Sequence, residues 1–264
     1  MIMNRFLFST LLLFLFCACD YSNKESTSIK NLHKTKHSEF NYPEYFDAFR
    51  DSLSNRKDLI EVASLSYTDN EGNTQQVKGF VDKTFAIVKL MHEQSFINGK
   101  IVKTSFYYNG IEKNFSQQEI SVLKENKSYF SEKISCYNSK NKVIYTGARF
   151  SNDAIKLSSN KFKKVDFIIH DDIKAKEIIN QKGDFQTNFQ GFMEMLNRAY
   201  LLVGTEKYGS TLAFQEYSGI LKLLKNRENQ YKNKPLKIEF EILTEANGFT
   251  FQALTGIELV NNKQ

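Results

Sequence analysis

The side chains best placed for chemistry stand three in a row, His170-Asp171-Asp172, after a short apolar run and ahead of a helical pattern. Two carboxylates and an imidazole can ligate a divalent cation or share acid/base work. The same residues have a plainer use. Asp171 can cap the helix that carries Ile173, Ala175, Ile178 and Ile179, and Asp172 suits the positive end of its dipole. No second His-rich cluster supplies further ligands. His33 and His37 sit at i, i+4 in a segment with no apolar face to hold a helix, and His92 stands alone at a predicted strand end. No metal or cofactor is therefore expected.

A second set is aromatic. Tyr107, Tyr108, Tyr129, Tyr137 and Tyr145 fall on neighbouring predicted strands. Tyrosine joins a large contact area to low rotamer entropy, which suits a binding face. The alternative is that these rings fill the sheet's own core, since the chain has 23 Phe, 13 Tyr and no Trp. The sequence contains no Gly-x-Ser-x-Gly, no His-Glu-x-x-His, no glycine-rich phosphate loop and no Cys-x-x-Cys.

Composition narrows the class. With 264 residues, 41% hydrophobic and 25% charged, the chain can bury a core and is not a disordered polymer. Three cysteines are too few for a disulfide scaffold. The net charge of +6 becomes +5 if residues 1–18, which include Arg5, are removed. An excess that small favours anionic lipid, glycans or an acidic partner and gives no case for nucleic acid.

Behind Arg5, residues 6–18 read Phe-Leu-Phe-Ser-Thr-Leu-Leu-Leu-Phe-Leu-Phe-Cys-Ala without a charge. This run is shorter than the roughly 20 residues needed to span a bilayer and matches a secretory h-region of roughly 7–15. Phe16-Cys17-Ala18-Cys19-Asp20 resembles a lipobox, and the chain thereby resembles the bacterial lipoproteins that carry a signal peptidase II type signal. Ala18 supplies the small residue before the cysteine, whereas Phe16 stands where most members have Leu. The resemblance implies cleavage after Ala18, lipidation of Cys19 and anchoring in a membrane of the cell envelope by its acyl chains. It covers the first 20 residues alone. An ordinary cleaved secretory signal, with Cys17 and Cys19 incidental, is the alternative. Once Cys19 is lipidated, Cys136 is left as the free thiol.

The elements that must position the candidates come next. Residues 19–42 are polar and aperiodic and read as a flexible tether. Pro43, Phe46, Phe49 and Leu53 mark a helix. Strand-like runs over 59–67, 77–92 and 101–108, with Asn98-Gly99 and Asn109-Gly110 as hairpin signals, make an antiparallel meander. Ser116-Gln-Gln-Glu119 has the capping-box form and predicts a short helix. Residues 129–137 and 142–150 form another hairpin, and 165–170 a short strand. Phe185, Phe189, Phe192, Leu196, Ala199 and Val203 then predict a helix closed by Gly204, and Phe214, Tyr217, Leu221 and Leu224 a second. A hairpin around Ala246-Asn-Gly248 ends the chain, with Lys237, Glu239 and Glu241 on one solvated face.

The expected fold class is α+β: antiparallel hairpins packed with a C-terminal helical segment and a final hairpin. The expected organisation is a signal peptide over 1–18, a tether over 19–42 and a globular domain over 43–264, with 151–164 as the candidate internal boundary. The leading functional expectation is a lipid-anchored envelope protein that binds a protein or glycan partner without chemistry. An exported hydrolase with a dispersed site, or a periplasmic assembly or transport accessory, are the alternatives.

Overall fold

Helix α1 spans Tyr42–Ser54. Pro43 fits a first turn that needs no amide, and Glu44 places an acid near the positive end of the dipole. Phe46, Phe49 and Leu53 share one face, and Phe46 is fully buried. The computed structural model describes residues 40–260 apart from 126, 170, 171, 196 and 197. Cys19, the signal reading and the tether reading as far as residue 39 lie outside the described residues, as do His170 and Asp171, while Tyr42, read as the tether's last residue, is the first of α1.

After α1 come β1 (Ile60–Ala63), β2 (Tyr67–Asp69), β3 (Thr74–Val81), β4 (Ile87–Ser95), β5 (Ile101–Asn109), β6 (Glu112–Lys124), β7 (Lys127–Tyr137) and β8 (Val143–Ser151). Helix α2 (Ala154–Leu157), the two-residue β9 (Lys163–Lys164) and helix α3 (Ile173–Ile179) follow. The last third holds β10 (Phe189–Met195), β11 (Arg198–Gly204), β12 (Tyr208–Phe214), α4 (Gly219–Asn226), α5 (Glu228–Tyr231), β13 (Leu236–Thr244) and β14 (Thr250–Leu259).

The strands join in one sheet of order β10-β11-β12-β2-β3-β4-β5-β6-β7-β8-β9, with β1 on β3 and the β13–β14 hairpin beside β12. Every pairing is antiparallel except β12 with β14, which meet in parallel at Ala213 and Ala253. The architecture is thus mostly antiparallel sheet with a few helices. Hairpins turn at both Asn-Gly signals, with Gly99 and Gly110 at φ 79° and 62°, although Asn98 and Asn109 keep negative φ and Asn109 still pairs with Glu112 inside the ladder. The segment 151–164 does not part the fold, because Lys163 and Lys164 pair with Ala148 and Gly147 of β8. Tyr42–Gln264 is one compact unit.

Both faces of the sheet are covered. On one face Leu65, Leu90, Ile178, Phe189, Leu201 and Leu224 form a core under α3 and α4. On the other, α1 lays Phe46 against Tyr107, Phe115, Ile134 and Cys136. Phe46 meets the Tyr107 and Phe115 rings edge-on at 5.8 and 5.5 Å.

Four local expectations are corrected. The helix predicted over 185–203 is a 3-10 turn at Gly183–Phe185 followed by β10 and β11. Its aromatic spacing suits a helix, but Gly191 at φ 137° breaks it, and the pairing with β12 buries Leu201 and Val203 on a period of two. Gly204 is no helix cap. It ends β11 at φ 142°, where a β-carbon would lie 2.1 Å from the Tyr208 carbonyl oxygen. The Ser116–Glu119 segment lies inside β6, where strands on both sides satisfy its backbone and outbid the local capping pattern. Residues 165–169 form a strap, its polar groups met by side chains: Ser135 Oγ accepts from the Ile169 amide and the Tyr137 hydroxyl donates to the Ile169 carbonyl. Of the second predicted helix only Gly219–Asn226 is helical, Phe214 closing β12.

Candidate functional site

Asp172 is the described member of the acidic cluster. It occupies the N-cap position of α3, yet its side chain makes no cap bond. Its carboxylate instead accepts from the Tyr108 hydroxyl and pairs with Lys176 Nζ at 2.7 Å, one turn on. Burial pushes the Asp172 carboxyl up, but the bonds from Lys176 and Tyr108 outweigh it and hold the group below the ordinary range. Tyr108 is a neutral phenol, its ionisation opposed by burial and by the adjoining carboxylate. Asp172 therefore fastens α3 to β5. Among the described residues no three His, Cys, Asp or Glu side chains gather to hold a metal ion.

The five tyrosines do not share a face. Tyr107 packs under α1 while Tyr108, next along β5, enters the opposite core. Tyr137 bridges Ser116 Oγ, at 2.9 Å, and the Ile169 carbonyl, and Tyr145 stacks on Tyr42 at 5.4 Å. Tyr129 is exposed at the far end of β7. Alternation along a strand sends neighbours to opposite faces, so adjacency in sequence did not make adjacency in space.

A buried polar chain that sequence reading missed runs under α1 and α2. The Tyr107 hydroxyl donates to Gln117 Oε1 at 2.7 Å, and Gln117 Nε2 donates to Glu132 Oε1 at 2.7 Å. Arg149 Nε donates to Glu132 Oε2 at 2.6 Å, and its NH1 to the Ser158 carbonyl at 2.7 Å. Arg50 of α1 approaches Glu132 at 3.7 Å. Glu132 and Arg149 are direct cross-strand partners, while Tyr107 reaches Gln117 and Gln117 reaches Glu132 diagonally, two residues off their register partners Phe115 and Ile134. Its groups satisfy one another, as buried charge must. At its open rim Lys89 is lowered by burial, against the field of Glu119, and Glu119 is raised first by lost hydration and then by Glu132. Opposed shifts of this kind occur at acid/base sites and in structural ion networks alike. Here they border a network that clamps two helices on the sheet, and no nucleophile joins them. The Cys136 thiol is buried and pushed up to about 12, which makes it an inert packing group.

The open concavities lie at the other margin of the sheet. Strand β12 shares one edge between two partners: β2 pairs at Tyr208 and Gly209, and β14 at Ala213. Gln252 closes the gap between them. Its Oε1 accepts the Ser66 amide at 2.6 Å, and its Nε2 donates to Ser210 Oγ at 3.1 Å and to the Thr211 carbonyl at 3.0 Å. The hairpin tip consequently stands over the outer face of β10–β12 and leaves a cleft of about 610 Å³. Met193, Met195, Tyr200, Leu202, Phe249 and Phe251 give it an apolar lining, and Thr68, Gln190, Ser210 and Gln252 a polar rim to which Asp69 adds one carboxylate. Met193, Met195 and Phe249 are exposed. A second groove, about 710 Å³, lies between the hairpin and the start of α4, where Arg198 stacks over Phe251 at 4.2 Å and pairs with Glu245 at 2.5 Å. The cleft was not legible in sequence because Met193, Met195, Tyr200 and Leu202 come from a segment read as helix and Phe249 to Gln252 meet them only through the tertiary fold.

No protein-family model matches the chain, and no curated protein and no solved structure is significantly similar to it.

Proposed function

We propose that the chain is a lipid-anchored protein of the cell envelope that binds a partner protein and does no chemistry of its own. In this reading Cys19 carries the acyl chains, residues 20–41 are the tether, and the folded part presents the cleft beside the β13–β14 hairpin. The observation that carries the binding role is the exposure of Met193, Met195 and Phe249 around one cleft. Clustered exposed apolar groups cost solubility and mark interaction sites on soluble domains. An extended protein segment is the favoured occupant. Apolar side chains fill the floor, and the hydroxyls of Ser210 and Thr68 and the side-chain oxygen of Gln190 suit backbone N–H and C=O groups, the amide donors of Gln190 and Gln252 being used within the fold. Methionine pairs adapt to varied side chains. Among the described residues that line the cleft there is no Lys or Arg to hold a phosphate.

A photo-cross-linking residue placed at 249 in the full chain, in its own cells, tests this. The expected result is a discrete protein adduct from position 249, abolished by Met195→Asp, and none from exposed position 155. Equal labelling from 249 and 155, or no adduct from 249, contradicts it.

A further inference from the structure

Strands β3 to β8 turn back five times, and three of the turns lie at one end of the sheet: 82–86, 109–111 and 138–142. Register keeps the three tips level, since Val81 faces Ile87, Asn109 faces Glu112 and Tyr137 faces Val143, each at the close of its ladder. Adjacent hairpin tips stand about 10 Å apart, two strand spacings.

These tips carry side chains that folding does not explain. Phe85 is 78% exposed and Ile111 99% exposed. Phe85 also sits at φ 61°, in the left-handed region that bulky side chains avoid and glycine or asparagine would fill without strain. The turn holds it there. The Asp82 carboxylate accepts from the Thr84 amide at 2.8 Å, the Thr84 hydroxyl at 2.7 Å and the Ala86 amide at 3.1 Å. A rigid loop thus points a phenyl ring at solvent. Around it, Lys83, Lys140 and Lys142 are exposed on the tips beside the acids Glu112 and Asp82, the Asp82 carboxylate being engaged by its own turn, and Asp58 near Lys83 pairs with Arg56.

The chain also joins its folded part at this end. Tyr42, the first residue of α1, stacks on Tyr145 two residues into β8 from the 138–142 turn, and α1 crosses the strands to bring Arg56 into the field of Asp82. Exposed apolar groups occur at the opposite end too, Ile97 at 76% among them. That end is on the order of 30 Å away along the nine residues of β5. The tether from Cys19 has a root-mean-square span on the order of 25 Å, so it favours contact through the near end.

We infer that the hairpin tips bearing Phe85 and Ile111, with Lys83, Lys140 and Lys142 beside them, form a membrane-contact face that rests on an anionic lipid surface. The inference rests on the anchored reading above. Apolar tips enter the headgroup boundary while lysines meet anionic headgroups, and each adds to the anchor's hold.

The chain has no Trp, so a single introduced indole reports without background. The full chain carrying Phe85→Trp, Ile111→Trp, Ile97→Trp or Leu123→Trp is reconstituted with vesicles of phosphatidylcholine and phosphatidylglycerol brominated on the acyl chains. Flotation reads the anchor, and quenching reads the face. Positions 85 and 111 should lose roughly half their emission or more, with 97 and 123 unchanged. Replacing Lys83, Lys140 and Lys142 by Glu should weaken that quenching. Flotation with quenching equal at all four sites, or greater at 97 and 123, overturns the face and leaves the anchor standing. Failure to float overturns the anchor, and quenching of 85 and 111 on the anionic vesicles then decides the face alone. Because all four positions are exposed, the variants should fold, which circular dichroism checks.

Discussion

Gln252 Oε1 lies 2.6 Å from the Ser66 amide, 186 residues earlier in the chain, and this contact ties the C-terminal hairpin to the β1–β2 connection. The same side chain donates to Ser210 and Thr211, so one carboxamide replaces a missing stretch of backbone ladder. Gln252→Leu should cost roughly 1–3 kcal/mol, as a part-buried amide and carbonyl lose their partners. Gln252→Glu keeps the acceptor for Ser66 but sets a carboxylate oxygen against the Thr211 carbonyl, so a loss at least as large is expected. Urea denaturation gives both values. Faster amide exchange in β14 than in β6 would place the damage at the hairpin.

Arg149 and Glu132 are each nearly inaccessible and bonded at 2.6 Å. Arg149→Met should destabilise by roughly 3–5 kcal/mol, since it strands a buried carboxylate. Replacing both residues by apolar ones of similar size should recover much of that loss. A double-mutant cycle by chemical denaturation checks the coupling. If the single and double variants are equally destabilised, the pair is not the clamp described above.

His92 is buried against Gln75, with Nε2 3.1 Å from Oε1, and burial, followed by the Lys174 charge, lowers its pKa to about 4. The unfolded imidazole titrates near 6.5. The folded value is the lower, so the unfolded chain binds more protons between these limits. This contribution is therefore complete above pH 6.5 and is lost as pH falls toward 4, by up to about 3 kcal/mol. His92→Gln should flatten the stability profile across that window. An unchanged slope would show that the His92 imidazole does not titrate differently in the folded and unfolded chains.

Tyr108→Phe removes the hydroxyl that Asp172 accepts from and should cost about 1–2 kcal/mol. Asp172→Ala also frees Lys176 and should cost at least as much. Thermal unfolding of the two variants and of the double variant tests whether they act as one contact. A hydrolytic activity lost in Asp172→Ala at unchanged stability would move this cluster from fastening to chemistry.

Hairpins were the legible part of the fold. Both Asn-Gly pairs mark places where hairpins do turn, but not in the type I′ form: Gly99 and Gly110 take positive φ and the asparagines do not, and Asn109 pairs with Glu112 so that Gly110-Ile111 makes the loop. The final alternation of Leu236, Ile238 and Phe240 against Lys237, Glu239 and Glu241 likewise becomes β13. Spacing misled where one segment satisfied two periods. Phe185, Phe189 and Phe192 fit a helical stripe, and only the long-range partners Leu201 and Leu212 decide for strands. The capping form at Ser116 was overruled in the same way, by β5 and β7 on either side. The Tyr107–Gln117–Glu132–Arg149 chain joins four strands, so no local window contains it. The cleft at Gln252 depends on an edge shared by β2 and β14, a property of topology and not of spacing.

The proposed envelope anchoring rests on Cys19, and the mature N-terminus is its most direct test. Mass spectrometry of the N-terminal peptide from cell membranes, with the Cys19→Ser chain alongside, measures it. The account predicts a peptide that begins at Cys19 and carries a diacylglyceryl thioether, and release of the Cys19→Ser chain from the membrane. An unmodified N-terminus at another position, with the wild-type chain recovered in the soluble fraction, would contradict it.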